Sequence, residues 1–99
     1  MIKLTWATTA LLDLAHIRHY IARFNPAAAS AVARQIVDIA DLLANHPEMG
    51  VRTKREQVRR LVVRGSPYII YYKLDDAGVE ILEIFDGRQE ISRSGHPEP

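Results

Sequence analysis

Three strand-length runs of β-branched and aromatic residues dominate the second half of this sequence. They are Val58–Arg64, Tyr68–Leu74 and Val79–Phe85. Gly-Ser-Pro at positions 65–67 and Asp-Asp-Ala-Gly at positions 75–78 separate the runs, and residues of these types favour tight turns. Connections this short join antiparallel neighbours. The sequence therefore predicts a three-stranded β-meander, which any fold of this chain must accommodate.

The first half of the chain predicts a strand followed by a helix. Met1–Trp6 alternates apolar and polar side chains, as a half-buried strand does. Apolar residues then recur at helical spacing, after Thr8 or Thr9 as the candidate helix N-cap. These apolar residues are Leu11, Leu14, Ile17, Ile21 and Phe24.

Asn25 and Pro26 mark the start of a second helix, because Asn is a favoured N-cap and Pro suits the first helical position. A second apolar stripe follows, and Pro47 stops it. The stripe consists of Val32, Ile36, Ile39 and Leu43. The two helices are therefore predicted to fold back on each other as an antiparallel hairpin.

The predicted order of elements is strand, helix, helix, strand, strand, strand. This order indicates an α+β fold, a single small domain in which a helical hairpin packs on an antiparallel β-sheet. A chain of 99 residues suffices for one core and not for two. We expect the domain to span residues 1–93 and the polar residues 94–99 to form a flexible tail.

Residue content excludes several classes of protein. The chain has no cysteine, so neither a disulfide nor a thiolate metal site can form. His16 and His19 lie on the polar side of the first predicted helix without a third ligand, so no metal or cofactor is expected. The N-terminus is too polar for a secretory signal, and no apolar run approaches the roughly 18 residues of a membrane span. A cytoplasmic protein is therefore expected.

Charge is unevenly distributed along the chain. Residues 51–73 contain seven Lys or Arg and one acid, whereas residues 75–90 contain six acids and one Arg. One interpretation is that these are solvated faces whose charges pair across the sheet, and the other is that the basic segment binds a partner. Strand alternation directs Leu61 and Val63 toward the core and Arg60 and Arg64 outward, with Arg59 at the rim.

Short motifs follow one another in order along nearly the whole chain. They are Ala10-x-x-Asp13-Leu14-x-x-Ile17, Tyr20-Ile21-Ala22, Asn25-Pro26-x-Ala28-Ala29, Leu43 with Pro47 and Gly50, Arg60-Leu61-Val62-Val63, Pro67-Tyr68-Ile69-Ile70-Tyr71-Tyr72 and Gly87-Arg88. Together they resemble the RelE/ParE superfamily of toxins from bacterial type II toxin–antitoxin pairs. The joint at Asn25 and Pro26, followed by alanines, looks most like the ParE branch.

The resemblance implies one of two activities. RelE-like toxins cut messenger RNA on the ribosome, whereas ParE-like toxins lack that cleavage and inhibit DNA gyrase. Both are neutralised by a small antitoxin encoded beside them, which is ParD-like in the second case. RNA cleavage requires groups that activate the 2′-OH, protonate the leaving oxygen and neutralise the phosphate.

Few residues of the RelE-like nucleases are present at matching positions. Pro67 and Tyr68 stand where those nucleases carry an Arg before a Tyr, Asp86 stands at the place of a His, and no Tyr or Phe follows Phe85. Arg88 alone clearly remains. An acid at position 86 would repel a phosphate. The resemblance therefore favours a non-enzymatic, ParE-like gyrase inhibitor with no catalytic residue.

Two alternatives stay open at this point. One is a RelE-like, ribosome-dependent endoribonuclease with a degenerate site centred on Arg60, Arg64 and Arg88. The other is a basic nucleic-acid-binding module without toxicity.

Two functional surfaces are predicted. The surface that acts on the target is expected to comprise Arg60, Arg64, Arg88 and Gln89. The antitoxin is expected to lay apolar side chains into a groove along the rim of the sheet and to place its acids near basic residues. The predicted antitoxin-binding residues are Trp6, Leu11, Arg52, Arg55 and Arg59.

Overall fold

The computed structural model describes residues 2–89, with the backbone alone for Gln89. In chain order its elements are β1 (Leu4–Trp6), α1 (Thr8–Ala22), α2 (Pro26–Leu42), β2 (Val51–Arg52), β3 (Val58–Val62), β4 (Tyr68–Asp75), β5 (Gly78–Asp86) and a 3-10 helix (Gly87–Gln89). Within residues 2–89, neither α-helix has the length and apolar character needed to span a membrane.

The strands form one mixed sheet in the order β1-β5-β4-β3-β2. Strands β2 to β5 pair antiparallel, whereas β1 runs parallel to β5. The predicted α+β fold and its order of elements are confirmed. Two details differ from the prediction: the two-residue β2 lies within the expected loop, and β1 adds a parallel pair to a sheet expected to be antiparallel.

The parallel pair follows from the path of the chain. The two helices carry the chain from β1 to the opposite edge of the sheet, and the meander then returns strand by strand until β5 arrives beside β1. Gly78 permits this approach, because it adopts φ +126° and a Cβ there would collide with the carbonyl of Lys3. That carbonyl accepts a hydrogen bond of 2.8 Å from the N–H of Val79.

The helical hairpin covers one face of the sheet and forms the main core. Its buried members are Ala10, Ile36, Ala40, Leu43, Val63, Tyr68, Ile70, Tyr72, Val79, Ile81 and Ile84. Leu61 packs against this core and Val63 lies within it, which confirms the predicted orientation of this segment. Burying one such large side chain contributes about 1.5–3 kcal/mol, so this layer of contacts accounts for the docking of the hairpin.

The predicted start of α2 is correct, but α2 ends at Leu42, before the predicted stop at Pro47, and the predicted start of α1 is wrong. The Asn25 side chain accepts a hydrogen bond of 3.1 Å from the N–H of Ala28, and Pro26 is the first helical residue, as predicted. The N-cap of α1 is Ala7, not Thr8 or Thr9. Because the Ala7 N–H still donates to the carbonyl of Ile81 at 2.9 Å, the parallel ladder extends to Ala7 and the helix begins immediately after it.

Two side chains near α1 lie on the side opposite to the prediction. Phe24, expected in the apolar stripe, is 71% exposed because α1 ends at Ala22. Asp13 is not part of the predicted apolar stripe, so helical spacing predicts that it faces water, yet it is half-buried and accepts a hydrogen bond of 2.9 Å from the N–H of Ile84. Strand β1 pairs with β5 only as far as Ile81, so the carboxylate of α1 supplies the acceptor that a longer strand would have provided.

A buried tyrosine hydroxyl anchors the loop between α2 and β2. The Tyr72 hydroxyl donates to the carbonyl of Pro47 at 2.7 Å and accepts from the N–H of Gly50 at 2.9 Å. A Cβ at position 50 would lie 2.7 Å from the Tyr72 ring, so only glycine fits. Arg59 adds hydrogen bonds to the carbonyls of Gly50 at 2.8 Å and Glu48 at 3.3 Å. The loop is therefore tied to β3 and β4 by side chains.

We predict that Tyr72→Phe lowers the free energy of unfolding by about 1–3 kcal/mol, because it leaves a buried N–H and a carbonyl without their partner. Urea denaturation of the purified protein measures this loss. Tyr20→Phe is the matched control, since the Tyr20 side chain is exposed, and it should change stability little. Equal stability of the two variants would contradict the anchoring role of Tyr72.

Candidate functional site

The face of the sheet away from the helices carries a second, smaller cluster. Val58, Tyr71 and Phe85 are buried there, and Leu82 packs against them. The rings of Tyr71 and Phe85 are 5.3 Å apart, and the Arg55 guanidinium lies 5.5 Å from the Tyr71 ring centroid. Tyr71 therefore packs within the fold.

Two of the predicted target-binding arginines lie on or beside β3. Arg60 pairs with Tyr71 in the ladder and so points away from the helices, as predicted, and it is half-buried. Arg64 was expected on the strand but lies in the turn after it, because β3 ends at Val62. Its carbonyl accepts a hydrogen bond of 2.6 Å from the Gln35 side chain, while its own side chain is exposed.

The third arginine is held by a neighbouring carboxylate. Arg88 Nε lies 2.9 Å and 3.2 Å from the two carboxylate oxygens of Asp86, and Nη2 lies 2.5 Å from Oδ2. The backbone N–H of Arg88 also donates to Asp86 at 2.8 Å. Asp86, at the end of β5, thus accepts both backbone and side-chain hydrogen bonds from one residue, and the positive charge of Arg88 is compensated within the chain.

The ion pair determines which groups carry a charge at the corner formed by Asp86, Arg88 and Tyr68. The Arg88 side-chain hydrogen bond holds the pKa of Asp86 below its usual value, and the same bond raises the pKa of Arg88. Burial, followed by the charge of Asp86, raises the pKa of the adjacent Tyr68 hydroxyl. At neutral pH the corner therefore presents an ionised pair beside a neutral phenol.

The predicted target-binding arginines Arg60 and Arg88 lie at separate places on the sheet. Arg60 lies opposite Tyr71, which pairs with Glu83, whereas Arg88 follows Asp86, which pairs with Tyr68. Three residue steps along the strands and two strand spacings across them separate the two sites by about 10 Å in each direction. The structure therefore does not bring Arg88 together with Arg60, and the assignment of both residues to the target-binding surface stays a prediction. The side chain of Gln89 lies outside the part of the chain that the structure describes.

The predicted antitoxin-binding residues are divided between two regions. Trp6 lies on β1 and Arg52 on β2, at opposite edges of the sheet, about 19 Å apart by strand spacing. Leu11 is exposed and lines a groove of about 650 Å³ between the helices. We call this the interhelical groove; it is lined by Leu11, Leu14, Ala15, Arg18, Ser30, Ala33, Arg34, Val37 and Asp38. One compact groove does not contain all five residues.

The other region is a basic edge formed by Arg52, Arg55 and Arg59. These arginines line a depression of about 360 Å³ together with Glu48 and Glu56. Arg59 donates to loop carbonyls, Arg55 is exposed with its guanidinium over the Tyr71 ring, and Arg52 is exposed on the edge strand. The prediction that these residues contact an antitoxin stays a prediction.

Sequence reasoning overlooked the exposed aromatic residues near the end of α1. Tyr20 and Phe24 are both exposed and pack edge to face, with ring centroids 5.5 Å apart. His16 and Tyr20 also line a cleft of about 370 Å³ that reaches Tyr68 and Arg88. The spacing of four residues between His16, Tyr20 and Phe24 was the sequence pattern that could have indicated an aromatic row on one side of the helix. Within residues 2–89 no group of three or more His, Cys, Asp or Glu side chains could hold a metal ion.

The fold defines the class of protein. The structure of the chromosomal ParDE TA system from P. aeruginosa matches with a TM-score of 0.75 and 25% sequence identity, over 87% of this chain and 96% of that one. The E. coli DinJ-YafQ complex matches with a TM-score of 0.62 over 89% and 96% of the two chains, and its 12% identity shows a shared fold alone. The architecture is that of a RelE/ParE superfamily toxin.

The sequence comparisons narrow this class to one family. The family model described as the ParE toxin of type II toxin-antitoxin system, parDE, matches residues 4–91. Toxin RelE2 of Caulobacter vibrioides is 42% identical over 84 residues, which are 85% of this chain and 93% of RelE2. The chain belongs to the ParE toxin family of type II toxin–antitoxin systems, as its motifs indicate.

Asp86→Asn should destabilise the protein at neutral pH and make its stability less sensitive to acid. A carboxyl group whose pKa is lowered by folding stabilises the folded state above the unfolded value, which is about 4, and that contribution disappears as pH falls through the folded pKa. Thermal midpoints of wild type and variant should therefore converge between about pH 5 and the acid limit. A constant difference across that range would contradict the prediction. Asp76→Asn, at an exposed turn, is the control.

Proposed function

We propose that this protein is a ParE-like toxin that inhibits DNA gyrase without catalysing a reaction, and that a ParD-like antitoxin neutralises it. The observation that carries the choice between gyrase inhibition and RNA cleavage is the closed ion pair of Asp86 and Arg88. It occupies the end of β5, where the resemblance to RelE-like nucleases would place a catalytic group.

The chemistry of cleavage fits this corner poorly. A scissile phosphate needs uncompensated positive charge and a group able to move a proton. Here the guanidinium of Arg88 is satisfied by Asp86, and an incoming phosphate would meet the carboxylate. Arg60 is about 10 Å away both along and across the strands. A protein target, which can contact separate arginines at different points and pack apolar side chains between them, suits this arrangement better than a single phosphate.

Two features support an antitoxin partner. One structure that shares this fold belongs to a chromosomal ParDE TA system, a toxin–antitoxin assembly by its name. The interhelical groove is partly apolar and open, as a docking surface for an amphipathic segment should be. Because the basic edge lies elsewhere on the molecule, an antitoxin that reaches both regions must be extended and wrap around the toxin.

Two reactions test the choice of target. Purified wild-type protein is added to a gyrase supercoiling reaction and, separately, to a translation extract in which primer extension maps breaks in the message. We expect inhibition of supercoiling and an intact message. Cleavage at ribosomal A-site codons with no effect on gyrase would replace the proposal with the RelE-like endoribonuclease.

The double substitution of Arg60→Ala with Arg88→Ala should abolish growth inhibition on induced expression. The thermal midpoint should stay within a few degrees of wild type, because the ion pair of Arg88 is exposed and such pairs contribute only about 0–1 kcal/mol, and because Arg60 lies outside the main core. Lys3→Ala with Arg34→Ala is the matched control, since it removes two exposed cations away from β3 and the end of β5. Full toxicity of the arginine double variant would place the target surface elsewhere.

Antitoxin binding should slow hydrogen exchange in two separate segments. We expect added protection in residues 8–18, beside the interhelical groove, and in residues 51–59, along the basic edge. The turn at residues 75–78 serves as the internal control, because it belongs to neither region. Protection that is unchanged at both segments in a stable toxin–antitoxin complex would contradict the two-region prediction.

A further inference from the structure

One flank of α1 is apolar, aromatic and exposed along its whole length. Leu12, His16 and Tyr20 are spaced four residues apart and therefore lie along one side of the helix. Phe24 follows in the turn after the helix and continues the row, because its ring packs against Tyr20. Leu12 is 54% exposed, Tyr20 is 58% exposed and Phe24 is 71% exposed. We call these four residues the α1 flank. Three large apolar side chains in one row are more than the scattered surface hydrophobics of an ordinary monomer.

The α1 flank is continuous with the end of the sheet that bears Arg88. The cleft of about 370 Å³ is lined by His16 and Tyr20 on one side and by Tyr68 and Arg88 on the other. Tyr20 is also close enough to contribute to the electrostatic environment of Arg88. A macromolecule that contacts Arg88 from this side would therefore meet the α1 flank in the same interface.

The charges around the α1 flank select an acidic partner. The guanidinium of Arg23 lies 5.7 Å from the Phe24 ring centroid, so a permanent positive charge adjoins the α1 flank. Asp13 is the one acid in α1, and it is bonded to the N–H of Ile84. Asp86 is engaged by Arg88. A second copy of this chain would bring like charges together, whereas an acidic segment would meet complementary ones.

We infer that the α1 flank is a second part of the target-binding surface, on which an acidic segment of the target protein docks with apolar side chains against Tyr20 and Phe24. Tyrosine and arginine are over-represented among the residues that dominate binding energy at interfaces. This inference rests on the proposed function in that the target is a protein, and it adds a contact region that lies some distance from Arg60.

The test compares Tyr20→Ala with Phe24→Ala, made together, with the control Leu42→Ala. Leu42 is an exposed apolar residue on α2 outside the α1 flank and both other surfaces. Induced expression should show that the double variant loses growth inhibition, and purified protein should need at least about tenfold more for half-inhibition of supercoiling. Leu42→Ala should match wild type in both assays, and all proteins should keep similar thermal midpoints. Tyr20→Phe should retain toxicity, because it preserves the ring.

The outcomes separate this inference from the proposed function. Growth arrest by wild type without gyrase inhibition would reject gyrase as the target, and loss of that arrest in the double variant would still support the α1 flank. A folded double variant that arrests growth like wild type would overturn the inference. So would binding of a single-stranded RNA 12-mer that depends on Tyr20 and Phe24, because the occupant would then be a nucleic acid. A wild-type protein that does not arrest growth would contradict both proposals.

Discussion

Strand β4 is buried on both faces, and the rest of the molecule is arranged to cover it. The five residues Tyr68–Tyr72 are all buried. Ile70 and Tyr72 belong to the core beneath the helices, whereas Tyr71 packs with Phe85 on the other face. A central strand can be buried in this way only if each face has its own cover. The surfaces available to partners therefore lie at the edges and ends of the sheet and on the helices.

This constraint explains why the arginines serve different purposes. Arg59, near the rim of the core, donates to loop carbonyls, and Arg55 covers the Tyr71 ring. Arg88 forms a bidentate pair with Asp86 at the end of the sheet. Arg52 and Arg64 remain exposed at an edge and in a turn. A basic segment that looks uniform in sequence is thus divided into cations that hold the fold together and cations that a partner can reach.

The elements and the faces of this fold were predictable because they depend on local chemistry. Turn residues separate the strands of the meander, Asn25 and Pro26 set the start of α2, and strand alternation placed Leu61 toward the core and Arg60 away from it. The candidate site was predictable only in part. Alternation assigns a face to Arg60, but it does not say where along the sheet Arg88 lies, since that depends on the pairing of three strands and on the bulge between Tyr71 and Tyr72.

The sequence by itself determined the class of fold, the helical hairpin and the membership of the toxin family, because periodicity, turn chemistry and motif order are properties of neighbouring residues. Tertiary structure alone decided which polar groups meet across the chain. The contact of Asp13 with Ile84 spans 71 positions, and that of Gly50 with Tyr72 spans 22. It also decided that Phe24 is exposed, because the helix ends before it. Such contacts depend on the packing of helix against sheet, which no local pattern records.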